Sequence, residues 1–231
     1  SPAASPSANM LAADRALSSR READPRWIEE ARNRGLETAE FISFASMAFS
    51  DNGNVLVSAK AVSDEYPLRG NLLVTDQPYT PGHAVSGGPA PGEVWVEARV
   101  LSSLGIDIGD SVYVGEAGLT AARVIVQEPD RQQGGMMDNA GPRLMLNLAD
   151  VPETNVIQAG SRVSYRYLFA GDQDALQDYA DWAREAQTRG INDEAGLITL
   201  AGEKGVSAAD AKAALDGLLL REHADELAAD V

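Results

Sequence analysis

His83 and Ser86, in the segment PGHAVSGG, come nearest in this chain to a nucleophile beside a base. A serine hydrolase of the elbow type needs G-x-S-x-G, whose strained strand-to-helix turn lifts the hydroxyl clear of its sheet, and that motif is absent. Glycine-rich segments without periodicity are usually loops, so His83 reads as a linker histidine. His223, the other histidine, lies among charges near the C-terminus and reads as a solvated surface residue. The adjacent acids Asp193 and Glu194, and Asp225 and Glu226, could do acid/base work only in a pocket that separates their pKa values. Nothing around them suggests one. There is no HExxH, no EF-hand loop and no cysteine, so metal and thiol chemistry lack ligands. Neither G-x-G-x-x-G nor G-x-x-x-x-G-K occurs. No catalytic, cofactor-binding or metal residue is therefore assigned, and the expected cofactor set is none.

Met136 and Met137, between Gly135 and Asp138, are the residues picked out for contact with a partner or substrate. Two flexible, polarizable side chains in a glycine-rich loop make an adaptable apolar surface, although such a pair can equally fold back onto a core.

The elements that would position such groups are legible in part. With 231 residues and 44% hydrophobic content the chain can bury a sizeable core, as one large domain or two small ones. A formal charge of −16, with 19 Lys and Arg residues and no basic run, argues against a nucleic-acid surface and an anionic membrane. From Asp172 onward there are 14 acidic and 5 basic residues, net −9, so the C-terminal quarter carries most of the excess. No apolar run approaches the ~20 residues needed to span a bilayer. Residues 1–9 read as a flexible leader.

A short strand is expected near residues 10–17. Asp24 and Pro25 predict a helix start, and Gly35 its end. Residues 41–49, apolar or small on both faces, predict a buried strand that pairs through the turn Asp51-Asn52-Gly53-Asn54 with a strand over 55–62. A further strand is expected over 71–75 and a linker over 76–92. Beyond it come a strand at 94–96, a helix over 97–104 stopped by Gly105, and strands at 111–114, 119–127, 143–148 and 161–169. The clearest helix covers 174–187, with Leu176, Tyr179 and Trp182 on one stripe. A last helix is expected from about Ser207.

Several of these segments carry a resemblance. KAV and YPLRG, then PGEVWVEARVLSSLGIDIGDSV, a strand ending VQEPD, a glycine-rich loop and PRLMLNLADVPETNVIQAGSRVSYRYLFAG resemble the extracytoplasmic domain of MacB/FtsX-type ABC transporter permeases of the YbbP-like subgroup. The resemblance covers about Asp14 to Trp182. It implies an α+β fold: a porter-like α/β subdomain formed by residues 10–76 and 142–190, interrupted by a smaller β-rich, Sabre-like insert over 77–141. A helical acidic tail over 191–231 departs from the family pattern.

The same resemblance implies a non-enzymatic domain at the periplasmic face of the bacterial inner membrane. Its role there is to couple ATP-driven motion of membrane helices to export or extraction of lipid or hydrophobic compounds. The implied partners are an ABC ATPase subunit, a periplasmic lysophospholipase or thioesterase, and the hydrophobic substrate. Two other readings stand beside it: an envelope lipid hydrolase or acyltransferase using His83 and Ser86, and a freestanding periplasmic interaction module.

Overall fold

A computed structural model describes residues 12–20, 22, 25–131 and 140–188. The leader over 1–9, Met136 and Met137, the tail over 191–231 with its expected helix, His223 and the paired acids lie outside the described residues. The protein is mixed α/β, rich in strand and poor in helix. Its chain forms two compact units, Ser1–Asp14 with Ala39–Ser164, and Arg15–Thr38 with Tyr165–Val231.

In the first unit, β2 (Glu37–Ser50) and β3 (Gly53–Val62) form the expected hairpin, in register from Phe41 opposite Val62 to Ser50 opposite Gly53. Two residues, Asp51 and Asn52, make the turn, and the β-branched and aromatic content of both arms suits a half-buried pleated surface. β4 (Leu72–Thr75) and β5 (His83–Val85) pair antiparallel. His83 is therefore a strand residue where a linker was expected, because β4 offers the backbone partner that a periodicity argument cannot see.

β6 (Glu93–Val96) leads into α2 (Ala98–Leu104), which Gly105 ends in the left-handed conformation, with Val100, Leu101 and Leu104 buried. β7 (Ser111–Val114) and β8 (Ala117–Gln127) are the next hairpin, and β9 (Arg143–Asn147) is buried throughout. A 3-10 turn at Leu148–Asp150 and one turn of helix, α3 (Val151–Thr154), follow. Neither was expected from the sequence, where Pro152 offers only a weak start signal.

The pairings close on themselves. β2 pairs β3, β3 runs parallel to β9, β9 pairs β6, β6 runs parallel to β8, β8 pairs β7, and β7 returns to β2 with Phe49 opposite Tyr113. Six strands thus make a closed ring, which removes the free edges that an open sheet would expose. Two strands of the interval 77–141 are joined to strands outside it, β6 to β9 and β8 to β4.

Alternation then sorts side chains by face. Ala48, Val57, Val94, Val96, Val112, Val114, Leu119, Leu144 and Leu146 are buried on the inner face. On the outer face of β2 and β3, Ser43 stands opposite Lys60, Ala45 opposite Ser58 and Met47 opposite Leu56.

The second unit pairs β1 (Arg15–Ser19) antiparallel with β10 (Ser164–Ala170). It also holds α1 (Pro25–Asn33), followed by Gly35 at φ +81°, and α4 (Gln173–Thr188). Asp172 starts α4 by accepting from the amides of Asp174 and Ala175 at 3.1 and 3.3 Å. Phe169, Tyr179 and Trp182 form its aromatic core, and the Arg34 guanidinium lies 5.8 Å from the Trp182 ring centre. Among the described residues no helix is long and apolar enough to cross a membrane, which says nothing about crossing by strands.

Candidate functional site

The chemistry concentrated in this chain is a buried ionic network on the outer face of β3 and β9. Lys60 sits in the middle of β3, and its ammonium donates to Asp130 Oδ1 at 2.7 Å, Glu128 Oε2 at 3.3 Å and Tyr66 Oη at 2.8 Å. The Tyr66 hydroxyl in turn donates to Asp130 Oδ1 at 2.7 Å. Arg143, the first residue of β9, donates to Glu128 Oε1 at 2.7 Å and to Ser58 Oγ at 2.8 Å.

The Lys60 ammonium also lies 4.2 and 4.6 Å from the ring centres of Phe41 and Tyr66. Lys60 and Arg143 are each 1% exposed. Nearer the surface, Arg131 extends the network from Glu128 at 3.6 Å to Glu97 at 3.1 Å. Three cations thus face three carboxylates, Glu97, Glu128 and Asp130, and the formal charge cancels.

The arrangement follows from local chain direction. β8 ends at Gln127, and Glu128 to Arg131 carry the chain from the end of β8 toward β3 and β9, delivering two carboxylates to the cations there. Buried charges survive only when paired and hydrogen-bonded, and here the main polar atoms of the network have partners. Burial by itself would raise the Asp130 carboxyl. The Lys60 ammonium, by charge and hydrogen bond, the Tyr66 hydroxyl and Arg143 outweigh it and hold that carboxyl below its ordinary value of 3.8. Burial, then the charges of Asp130 and Glu128, push the Tyr66 phenol well above 10.0.

A pH dependence follows. A depressed carboxylate pKa contributes stability that is full above the unfolded value and is lost as pH falls through the folded one. A raised phenol pKa contributes stability that is full below the unfolded value and lost as pH rises. Unfolding free energy measured by urea titration is therefore expected to be flat between these limits, falling at acid pH below about 4 and again above about pH 10. Tyr66→Phe should remove its part of the alkaline fall. An alkaline limb unchanged in Tyr66→Phe would show that Tyr66 does not cause it.

This network does not look like a reaction centre. Its Lys60 amine is shared between two carboxylates and a phenol and does not open to solvent. An open surface cleft of about 310 Å³ lies beside it, lined by Gly70, Asn71, Leu73, Gln127 and Pro129, none of them charged. His83 and Ser86 are both exposed and neither makes a hydrogen bond to the other or to an acid among the described residues. The structure does not assemble them into a nucleophile and base. No group of three or more potential metal ligands occurs among the described residues.

The network was missed in the sequence, although signals for it exist. Lys60 interrupts the apolar run of β3, and a lysine inside a buried strand requires a partner. The segments that carry the family resemblance, KAV, YPLRG, VQEPD and PRLMLN, contain Lys60, Tyr66, Glu128, Asp130 and Arg143. Scattered over more than eighty positions, they converge on one cluster.

No protein-family model matches the chain. The aligned three-quarters of it nevertheless belongs to the ABC transporter permeases. Within that class the similarity is to the uncharacterized ABC transporter permease YbbP of Escherichia coli (strain K12), 40% identical over 176 residues, which is 76% of this chain. The chain spans 21% of the length of that relative. Among solved structures, the extracellular domain of the noncanonic ABC-type transporter YknZ from Gram-positive bacteria aligns with 84% of this chain and 97% of its own, at 10% identity and a TM-score of 0.46.

Proposed function

We propose that this chain is a non-enzymatic extracytoplasmic domain of an ABC transporter permease, at the periplasmic face of a bacterial inner membrane. It couples motion of membrane helices, driven by an ABC ATPase subunit, to export or extraction of a hydrophobic or lipid compound. The alignment at 40% identity over 176 residues carries this reading. The ionic network supports it in a mechanical sense: it ties the end of β8 to β3 and β9 through charge-assisted hydrogen bonds, so that this end of the ring moves as one body under load.

A periplasmic lysophospholipase or thioesterase is a proposed partner that would act on the exported compound. Met136 and Met137 are the proposed contact residues, and replacing both by serine is expected to weaken transport while leaving thermal stability unchanged.

The direct test is the full-length reading frame expressed with its ATPase. Apolar membrane-spanning segments before Ser1 and after Val231, and a membrane-bound product, are expected. A reading frame without such segments would sink the permease assignment and favour the freestanding interaction module.

A further inference from the structure

The outer face of the ring has two halves. One is sealed over the ionic network. The other, at the hairpin ends of β2, β3, β7 and β8, is open. Four of the six exposed large hydrophobic side chains among the described residues lie on it: Met47 (37% exposed), Phe49 (43%), Leu56 (45%) and Tyr113 (45%). The strand register makes them one surface, with Met47 opposite Leu56 and Phe49 opposite Tyr113.

Their outward neighbours by alternation, Ala45, Asn54, Ser111, Gly118 and Thr120, are uncharged. Charge appears only at the border, and there it has one sign. Residues 45–57 and 105–121 contain no lysine or arginine, while Asp51, Asp107, Asp110 and Glu116 are all exposed in the turns around the patch.

We propose that this face is a docking surface for a protein partner presenting an apolar centre within a basic rim. Aromatic and methionine side chains at the centre of a patch, with charge confined to its edge, are the usual anatomy of an interface. The acidic border selects the sign of the partner. It disfavours a second copy of this chain, whose own acidic border and net charge of −16 would be opposed. An anionic bilayer is disfavoured for the same reason. Position argues similarly, because the chain enters this unit at Ala39 and leaves it at Ser164, whereas the patch lies at the hairpin end of β2, about 25 Å or more along the strand from Ala39.

The experiment uses the full 231-residue chain and an amphipathic Leu/Lys peptide, with a Leu/Glu peptide of the same pattern as control. The Leu/Lys peptide is expected to bind saturably, more weakly as salt rises. The double variant Phe49→Ser, Tyr113→Ser is expected to bind it about tenfold or more weakly. The replaced side chains are half exposed, so unchanged thermal unfolding is expected. If that variant melts early, Met47→Ser with Leu56→Ser provides the same readout.

Binding that all these variants leave intact overturns the proposal. So does equal binding of the Leu/Glu peptide, which would mean that the border selects nothing. Binding to phosphatidylcholine vesicles that is lost in the double variant would assign the face to a membrane. Concentration-dependent dimers lost in the same variant, read by analytical ultracentrifugation, would assign it to a second copy.

Discussion

Arg143→Met is expected to lower the unfolding free energy by about 3–5 kcal/mol, because it leaves a buried carboxylate short of a cation. Glu128 loses its 2.7 Å partner and keeps Lys60 at 3.3 Å and Arg131 at 3.6 Å. Ser58 loses the donor to its hydroxyl at the same time. Methionine fills much of the volume of the arginine stem, so the loss reports charge more than cavity.

Urea unfolding followed by circular dichroism measures it. A loss under about 1 kcal/mol would mean that Glu128 is rescued by water and that the network is softer than its distances imply. A double-mutant cycle sharpens the result. Lys60→Met combined with Asp130→Asn should cost less than the two single changes added together, since each alone strands the other's polar group.

Gly115→Ala is expected to cost about 2–5 kcal/mol, combining left-handed backbone strain with a steric overlap that cannot relax cheaply. Gly115 begins the β7–β8 turn at φ +55°, and a Cβ there would meet the Thr154 carbonyl oxygen and stand 2.6 Å from Val156 Cγ1. That carbonyl already accepts from the Glu116 amide at 2.9 Å, so the turn is seated on the end of α3. Gly109, at φ +99° with nothing within 4 Å of a built Cβ, is the internal control. Gly109→Ala should show the strain without the overlap. If both glycines lose the same stability, the contact with Thr154 contributes nothing and the effect is backbone strain alone.

Hairpins and helix ends were legible because their causes are local. Asp51 and Asn52 between two β-forming runs specify a turn whatever else the chain does, and Gly35 and Gly105 end their helices through their own φ. β5 was not legible, because three residues in a Pro- and Gly-rich stretch become a strand only through pairing with β4. α3 was hidden for a related reason: a single turn has no periodicity to read, and its place depends on the β7–β8 turn packed against it.

By itself the sequence determined which segments pair or coil locally, the want of any catalytic signature, and the segments that carry the family resemblance. Only the tertiary structure decided that Lys60, Tyr66, Glu128, Asp130 and Arg143 form one neutral cluster, and that Met47, Phe49, Leu56 and Tyr113 form one open face. The physical reason is the same in both cases. Backbone hydrogen bonding and turn chemistry act over a few residues, whereas a buried charge finds its partner, and an exposed side chain its neighbour, through strand register set across the whole ring.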